Sequence, residues 1–117
     1  MEFPEAPSIS VAIPLFNAAR FLEGNGMLPS LLAQTMTDFE MVLVDDGLTD
    51  NTLQICRDLA LEDSRIRVVT QENRGVSVAR NMGIRAARGQ YIWIVDQDDQ
   101  LEPNALEVIL EAAKKFG

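Results

Sequence analysis

The sequence predicts an α/β fold in which helices cover both faces of a mainly parallel sheet, with strands in the spatial order 3-2-1-4. Two observations lead there. Short β-branched runs alternate four times with segments of helical periodicity. Hydrophobic residues make up 47% of the 117 residues while aromatics reach only 6%, so one aliphatic core is expected, of the kind that buries strands on both faces. Four βα units in series give parallel strands with right-handed crossovers, a Rossmann-like three-layer α/β/α arrangement. Residues 1–7 (MEFPEAP) read as an N-terminal tail and residues 8–117 as the domain.

Strand 1 is expected over residues 8–14 (SISVAIP), β-branched and bounded by proline at both ends. Residues 20–34 read as a helical connection interrupted by Gly24, Gly26 and Pro29. A break is expected near 24–26, then a helix from Leu28 or Pro29, where proline is tolerated. Strand 2 covers 39–45 (FEMVLVD). A helix capped by Thr49 or Asp50 follows, burying Thr52, Ile55, Cys56 and Leu59 at i, i+3, i+4 and i+7. Strand 3 is 66–70 (IRVVT). The helix over 76–88 places Ala79, Met82, Gly83 and Ala86 on one face, compact enough to lie close to the sheet. Strand 4 is 91–95 (YIWIV). Pro103 opens a last helix with Leu106, Ile109, Leu110 and Ala113 inward, and Lys114 and Lys115 favour its C-terminus.

Composition excludes several chemistries. A net charge of −8 offers no basic field for nucleic acid. Without histidine there is no Ser-His-Asp or Cys-His nucleophile and no His-ligated zinc. The single cysteine, Cys56, forms no internal disulfide and reads as a buried thiol. No run approaches the roughly 20 apolar residues that span a bilayer. The first residues resemble neither a signal nor a transit peptide. A cytoplasmic protein is expected, at the inner face of the membrane in a longer chain.

In open parallel sheets ligands bind beyond the C-terminal strand ends where the strand order reverses, here between strands 1 and 4. The loops at that edge carry Asp45, Asp46 and Gly47 after strand 2, and Asp96, Asp98 and Asp99 after strand 4. After strand 3 come Asn73, Arg74 and Gly75, leading into Ser77, Arg80 and Asn81. Two acidic loops at one edge repel each other unless a cation or a hydrogen-bonding ligand offsets them. Mg²⁺ and Mn²⁺ take carboxylate oxygens and bind well beside phosphates. Each pattern alone has an ordinary reading as a turn, a cap or a solvated face. Their concentration at strand ends points to a site.

The stretches ISVAIPLFN, SLLAQTMTDFEMVLVDDGLTDNT and DSRIRVVTQENRGVSVARNMGIRAARGQYIWIVDQDD together resemble the N-terminal part of family-2 glycosyltransferases of the GT-A fold, nearly collinearly from Ile9 to Leu106. The resemblance implies a part that binds a nucleotide-sugar donor, foremost a UDP-sugar, with Mn²⁺ or Mg²⁺. The sugar would pass, with inversion, to a glycan, lipid or polysaccharide acceptor. By position, it implies Pro14 and Phe16 along the base and Asp46 accepting a hydrogen bond from it. It implies Asp96 at the ribose or sugar, Asp98 on the metal with Asp99 beside it, and Arg80 and Asn81 toward the diphosphate or donor sugar. Leu48 departs from the family's usual serine, and the segment Gly24-Asn25-Gly26 is longer than usual. In the family the acceptor site and general base follow the D-x-D helix. Glu102, Glu107 and Glu111 lie on or beside that helix and none suits the role. The base is therefore expected beyond residue 117, and the chain alone is expected to be inactive in transfer.

Other readings compete. A non-catalytic nucleotide-binding module would need the same loops. A response-regulator receiver places its acid pair after strand 1, and a D-x-D phosphatase its nucleophile there, whereas strand 1 here ends in Pro14. No G-x-G-x-x-G follows strand 1, against a dinucleotide site.

Overall fold

The computed structural model describes residues 6–16, 18, 22, 27–47, 51–72 and 74–116. The elements run β1 (Ile9–Leu15), α1 (Met27–Leu32), β2 (Phe39–Asp45), α2 (Thr52–Glu62), β3 (Ile66–Thr70), α3 (Val76–Ala86), β4 (Tyr91–Ile94) and α4 (Ala105–Phe116). The strands form one parallel sheet in the order β3-β2-β1-β4, as the four βα units require. Because β1 lies between β2 and β4, the order differs from the 2-1-3-4-5 arrangement of receiver domains.

Strand alternation sorts the core into two layers. Ile9, Val11, Ile13 and Leu15 of β1, with Phe39, Met41 and Leu43 of β2, pack with Met27, Leu28 and Leu31 of α1, Cys56 of α2 and Leu106 of α4. Val42 and Val44 face the other way and meet Ala79 of α3, with Val69, Met82 and Ala86 around them. The expected close approach of α3 is present. A Cβ built on Gly83 would lie 2.9 Å from the Cβ of Ala12.

Several boundaries shift from those expected. β1 runs on to Leu15, which pairs with Asp45, while its pairing with β4 stops at Ala12↔Ile94. Pro14 therefore sits where no β4 backbone faces it, and its missing N–H costs no ladder bond on that side. β4 ends at Ile94 and α3 at Ala86, each short of the expected limit. At α3 the Ala87 N–H closes on the Ile84 carbonyl, and Ala87 is extended at ψ 138°, which stops the helix. α1 starts at Met27, with Pro29 still inside the first turn, where N–H groups have no intrahelical acceptor. The cap of α2 is Asn51, later than Thr49 or Asp50, and its side chain makes no capping bond. α4 begins at Ala105, after a turn at Pro103 and Asn104. Of its expected inner face only Leu106 is fully buried, with Ile109, Leu110 and Ala113 half-buried. The break at Gly24 to Gly26, the departure at Leu48, Thr49, Asp50 and Asn73 lie outside the described residues.

At the N-terminal end of the sheet a buried carboxylate organises the α3 face. Glu40 accepts hydrogen bonds from the Ser10 hydroxyl (2.6 Å), the Arg88 N–H (2.7 Å) and the Arg67 guanidinium (2.9 Å), and pairs with the Arg88 guanidinium at 3.1 Å. Arg67 also donates to the carbonyl of Ala86, in the last turn of α3 (2.7 Å). Burial raises the Glu40 pKa, but the Ser10, Arg88 and Arg67 bonds outweigh it and hold the carboxyl below its ordinary value. Among the described residues no helix is long and apolar enough to cross a membrane.

Candidate functional site

The C-terminal ends of the strands open onto a cavity of about 550 Å³ lined by Pro14, Leu15, Phe16, Asp46, Gly75, Val76, Ala79, Asp96, Gln97 and Asp98. Its place is the one the topology dictates: β1 and β4 are neighbours there, where the strand order reverses, and α3, which leads into β4, lies on the face of the sheet opposite α1.

Asp46 leaves the end of β2 with its N–H on the Leu15 carbonyl (3.1 Å), and its side chain is 3% exposed. One carboxylate oxygen, Oδ1, accepts from the Gln71 amide (2.6 Å) and the Arg74 N–H (2.9 Å); Oδ2 accepts from the Gly75 N–H (3.1 Å). Burial alone would raise this pKa, yet the bonds from Gln71, Arg74 and Gly75 bring it below the ordinary value, so Asp46 stays ionised. Gly75 reaches Asp46 with φ at +96°, a conformation that L side chains rarely adopt, immediately before α3 starts. A carboxylate oxygen has two acceptor lobes, so among the described residues Oδ2 keeps one for a further donor.

The loop after β4 is built differently. Val95 makes the last main-chain bond to β1, its N–H on the Ala12 carbonyl (3.0 Å). The chain then turns, with the Asp99 N–H on the Asp96 carbonyl (3.1 Å). Asp96 and Asp98 are exposed and line the cavity. Asp96 pairs with Arg80 of α3 at 3.2 Å. Asp99 is not part of the lining; its carboxylate accepts from the Asp96 N–H (3.3 Å).

Of the residues singled out from the sequence, Pro14, Phe16, Asp46, Asp96 and Asp98 meet at one cavity. Arg80 joins them through Asp96, whereas Asn81 is exposed on α3 and lines none of it. Gln97 escaped the sequence reading as the spacer of the D-x-D, although it bonds to both the N–H and the carbonyl of Phe16. Gln71 escaped as well; its place directly after β3, at the edge already under suspicion, was the available signal.

The donor set suits a hard divalent ion. Among the described residues no three acids converge as a closed cage. Mg²⁺-type sites commonly use one or two carboxylates, with phosphate oxygens and water completing the shell. Asp98, exposed at the cavity wall, offers that kind of incomplete site.

Comparison with known proteins agrees with this geometry. The glycosyltransferase EpsJ of Bacillus subtilis, itself uncharacterised, is 43% identical over 109 residues, covering 93% of this chain and 31% of the relative. The chain spans about a third or less of the length of the curated relatives it matches. Among solved structures, residues 1–349 of S. aureus TarS in complex with UDP match with a TM-score of 0.75 and 26% identity, over 92% of this chain and 32% of that one. The mannosyltransferase PcManGT from Pyrobaculum calidifontis, in complex with GDP-Man and Mn²⁺, matches with a TM-score of 0.74 and 27% identity, over 94% of this chain and 32% of that one. The family model described as Glycosyl transferase family 2 matches residues 10–117, nearly the whole sequence, and the chain belongs to that family.

Proposed function

We propose that this chain forms the donor-binding part of a glycosyltransferase and holds a nucleoside-diphospho-sugar together with Mn²⁺ or Mg²⁺. The observation that carries the reading is the meeting of an ionised, buried Asp46 with the exposed pair Asp96 and Asp98 around one cavity. The nucleotide and metal in the similar structures support it.

In this reading the base lies along Pro14 and Phe16, and the open lobe of Asp46 Oδ2 accepts a ring N–H. Asp96 serves the ribose or sugar. Asp98 would hold the cation, with Asp99 adjacent, and Arg80 and Asn81 lie toward the diphosphate or sugar. A cation held there would supply positive charge to offset what builds on the diphosphate as the sugar leaves. The acids lining the cavity are thereby committed to donor and metal, and proton abstraction from an acceptor needs another group within hydrogen-bond reach. We place that base outside residues 1–117, with transfer proceeding by inversion to a glycan, lipid or polysaccharide acceptor, and sugar transfer is absent from the chain alone.

The test is calorimetry with UDP and GDP, with and without Mn²⁺, beside an assay for glycosylated acceptor. Metal-enhanced nucleotide binding without product is expected. Absence of binding at millimolar nucleotide would overturn the reading. Robust transfer would show that the base lies within these residues.

A further inference from the structure

The middle residue of the D-x-D does more than separate two acids. The Oε1 of Gln97 accepts the Phe16 N–H at 2.7 Å, and its Nε2 donates to the Phe16 carbonyl at 3.0 Å. The strand geometry explains why this pair exists. The Ala12 carbonyl faces β4, where it takes the Val95 N–H, while the Leu15 carbonyl faces β2 and takes the Asp46 N–H. Alternate residues of a strand address alternate neighbours, so Phe16, four residues after Ala12, addresses the β4 side. By then β4 has ended and its chain has turned away. The amide of Gln97 stands in for the missing peptide and prolongs the ladder by one rung.

We propose that Gln97 is a positioning residue: its amide fastens the acidic turn to the end of β1, and so holds Asp98 in place for a divalent cation before nucleotide arrives. The inference rests on the donor-site reading above. The turn needs such a fastening. It carries Asp96, Asp98 and Asp99 within four positions, and their mutual repulsion favours spreading the loop when no cation is present. Its far end is already tied, because the Leu101 N–H meets the Ser30 hydroxyl (3.2 Å) and the Glu102 carbonyl accepts from the Gln34 amide (2.7 Å). On the near side Asp96 has its ion pair with the half-exposed Arg80, whereas Gln97 alone bonds, from within the D-x-D, to the main chain just past β1 among the described residues. A neutral amide can do this without adding charge, and it supplies the donor and the acceptor that Phe16 requires.

The test compares the parent with Gln97→Ala, Gln97→Glu, Asp98→Ala and the double variant Gln97→Ala/Asp98→Ala. Affinity is read by calorimetry for whichever of UDP and GDP the parent binds, with and without Mn²⁺, and each variant is melted alongside. Gln97→Ala should lower the Mn²⁺-dependent affinity about tenfold, as loss of a group that orients a metal ligand does. Metal-free nucleotide binding, to which Gln97 contributes only as part of the cavity wall, should fall by clearly less. Gln97→Glu, almost the same shape, turns an oxygen toward the Phe16 carbonyl and should lose at least as much, which separates the effect from a packing defect. Once Asp98 is gone, removing Gln97 should cost nothing more. An unchanged Mn²⁺-dependent affinity in Gln97→Ala, an additive loss in the double variant, or equal losses with and without metal would each overturn the proposal while leaving the donor-site reading intact. If the parent binds neither nucleotide, the donor-site reading itself falls, and this inference with it.

Discussion

Arg80 extends from α3 to place its guanidinium 3.2 Å from the carboxylate of Asp96, the first acid of the loop after β4. The two side chains are 42% and 55% exposed, and exposed pairs of this kind add little to stability. A cation kept beside an acid at a cavity mouth is also a cation within reach of a phosphate. Arg80→Ala is therefore expected to leave the melting temperature within about 2 °C, consistent with a change below roughly 0.5 kcal/mol. It should weaken binding of a nucleoside diphosphate several-fold while barely touching the parent nucleoside. Calorimetry with UDP and uridine checks this; equal effects on both would assign Arg80 to the loop's structure.

Asp46 and Asp98 should separate by their dependence on metal. Asp46→Asn is expected to lower nucleotide affinity with and without Mn²⁺, by the on the order of 1.5–3 kcal/mol that a hydrogen bond to a charged group carries. The variant should also melt lower, since the Arg74 and Gly75 N–H groups lose their ionised acceptor. Asp98→Ala should keep its melting temperature and lose only the Mn²⁺-enhanced part. Parallel titrations with and without Mn²⁺, with melting curves of both variants, decide it.

Glu40 sets an acid-sensitive contribution to stability. Its carboxyl is held below the ordinary value in the folded chain, so its stabilisation is complete above the unfolded pKa. It is lost as the pH falls below the unfolded value and through the lower folded one. Glu40→Gln should cost about 2 kcal/mol at pH 7. The gap between parent and variant should narrow steadily as the pH falls below the ordinary carboxylate range. Urea unfolding at a series of pH values measures it; a gap independent of pH would mean that the charge of Glu40 contributes nothing.

Gly83 fixes how near α3 can come. With only 2.9 Å between a Cβ there and the Cβ of Ala12, Gly83→Ala must push the helix outward or strain the sheet, despite alanine's better helix propensity. A net loss of about 1–3 kcal/mol is expected, as for other overpacked sites. The double variant Gly83→Ala/Ala12→Gly should recover most of it, which chemical denaturation would reveal.

The strands, their order and the edge that carries the cavity were legible because each rests on local pattern: β-branched runs, helical spacing, and acids at strand ends. β2 and β3 lie where the apolar runs lie, at Phe39–Asp45 and Ile66–Thr70. What escaped was long-range polar pairing. Gln97 meets Phe16 across 81 positions, and Glu40 meets Arg88 across 48. Glutamine and glutamate are usually solvated, so nothing nearby in the chain marks one that is held. Helix limits shifted for a related reason: at Asn51 the cap position carries no side-chain bond, so its residue type gave no reliable marker.

The Glu40 cluster lies at one end of the sheet and the cavity at the other, and β2 joins them. Asp46 lies six positions after Glu40, about 20 Å along the extended chain. Substitutions that far apart, with no shared partners, generally combine additively. Changes in the cavity loops that lower stability can thus be offset at the opposite end of the sheet. A sheet anchored at one end in this way lets its cavity loops vary without first rebuilding its core, and a library confined to those loops should yield altered nucleotide preference more readily once the anchor has been strengthened.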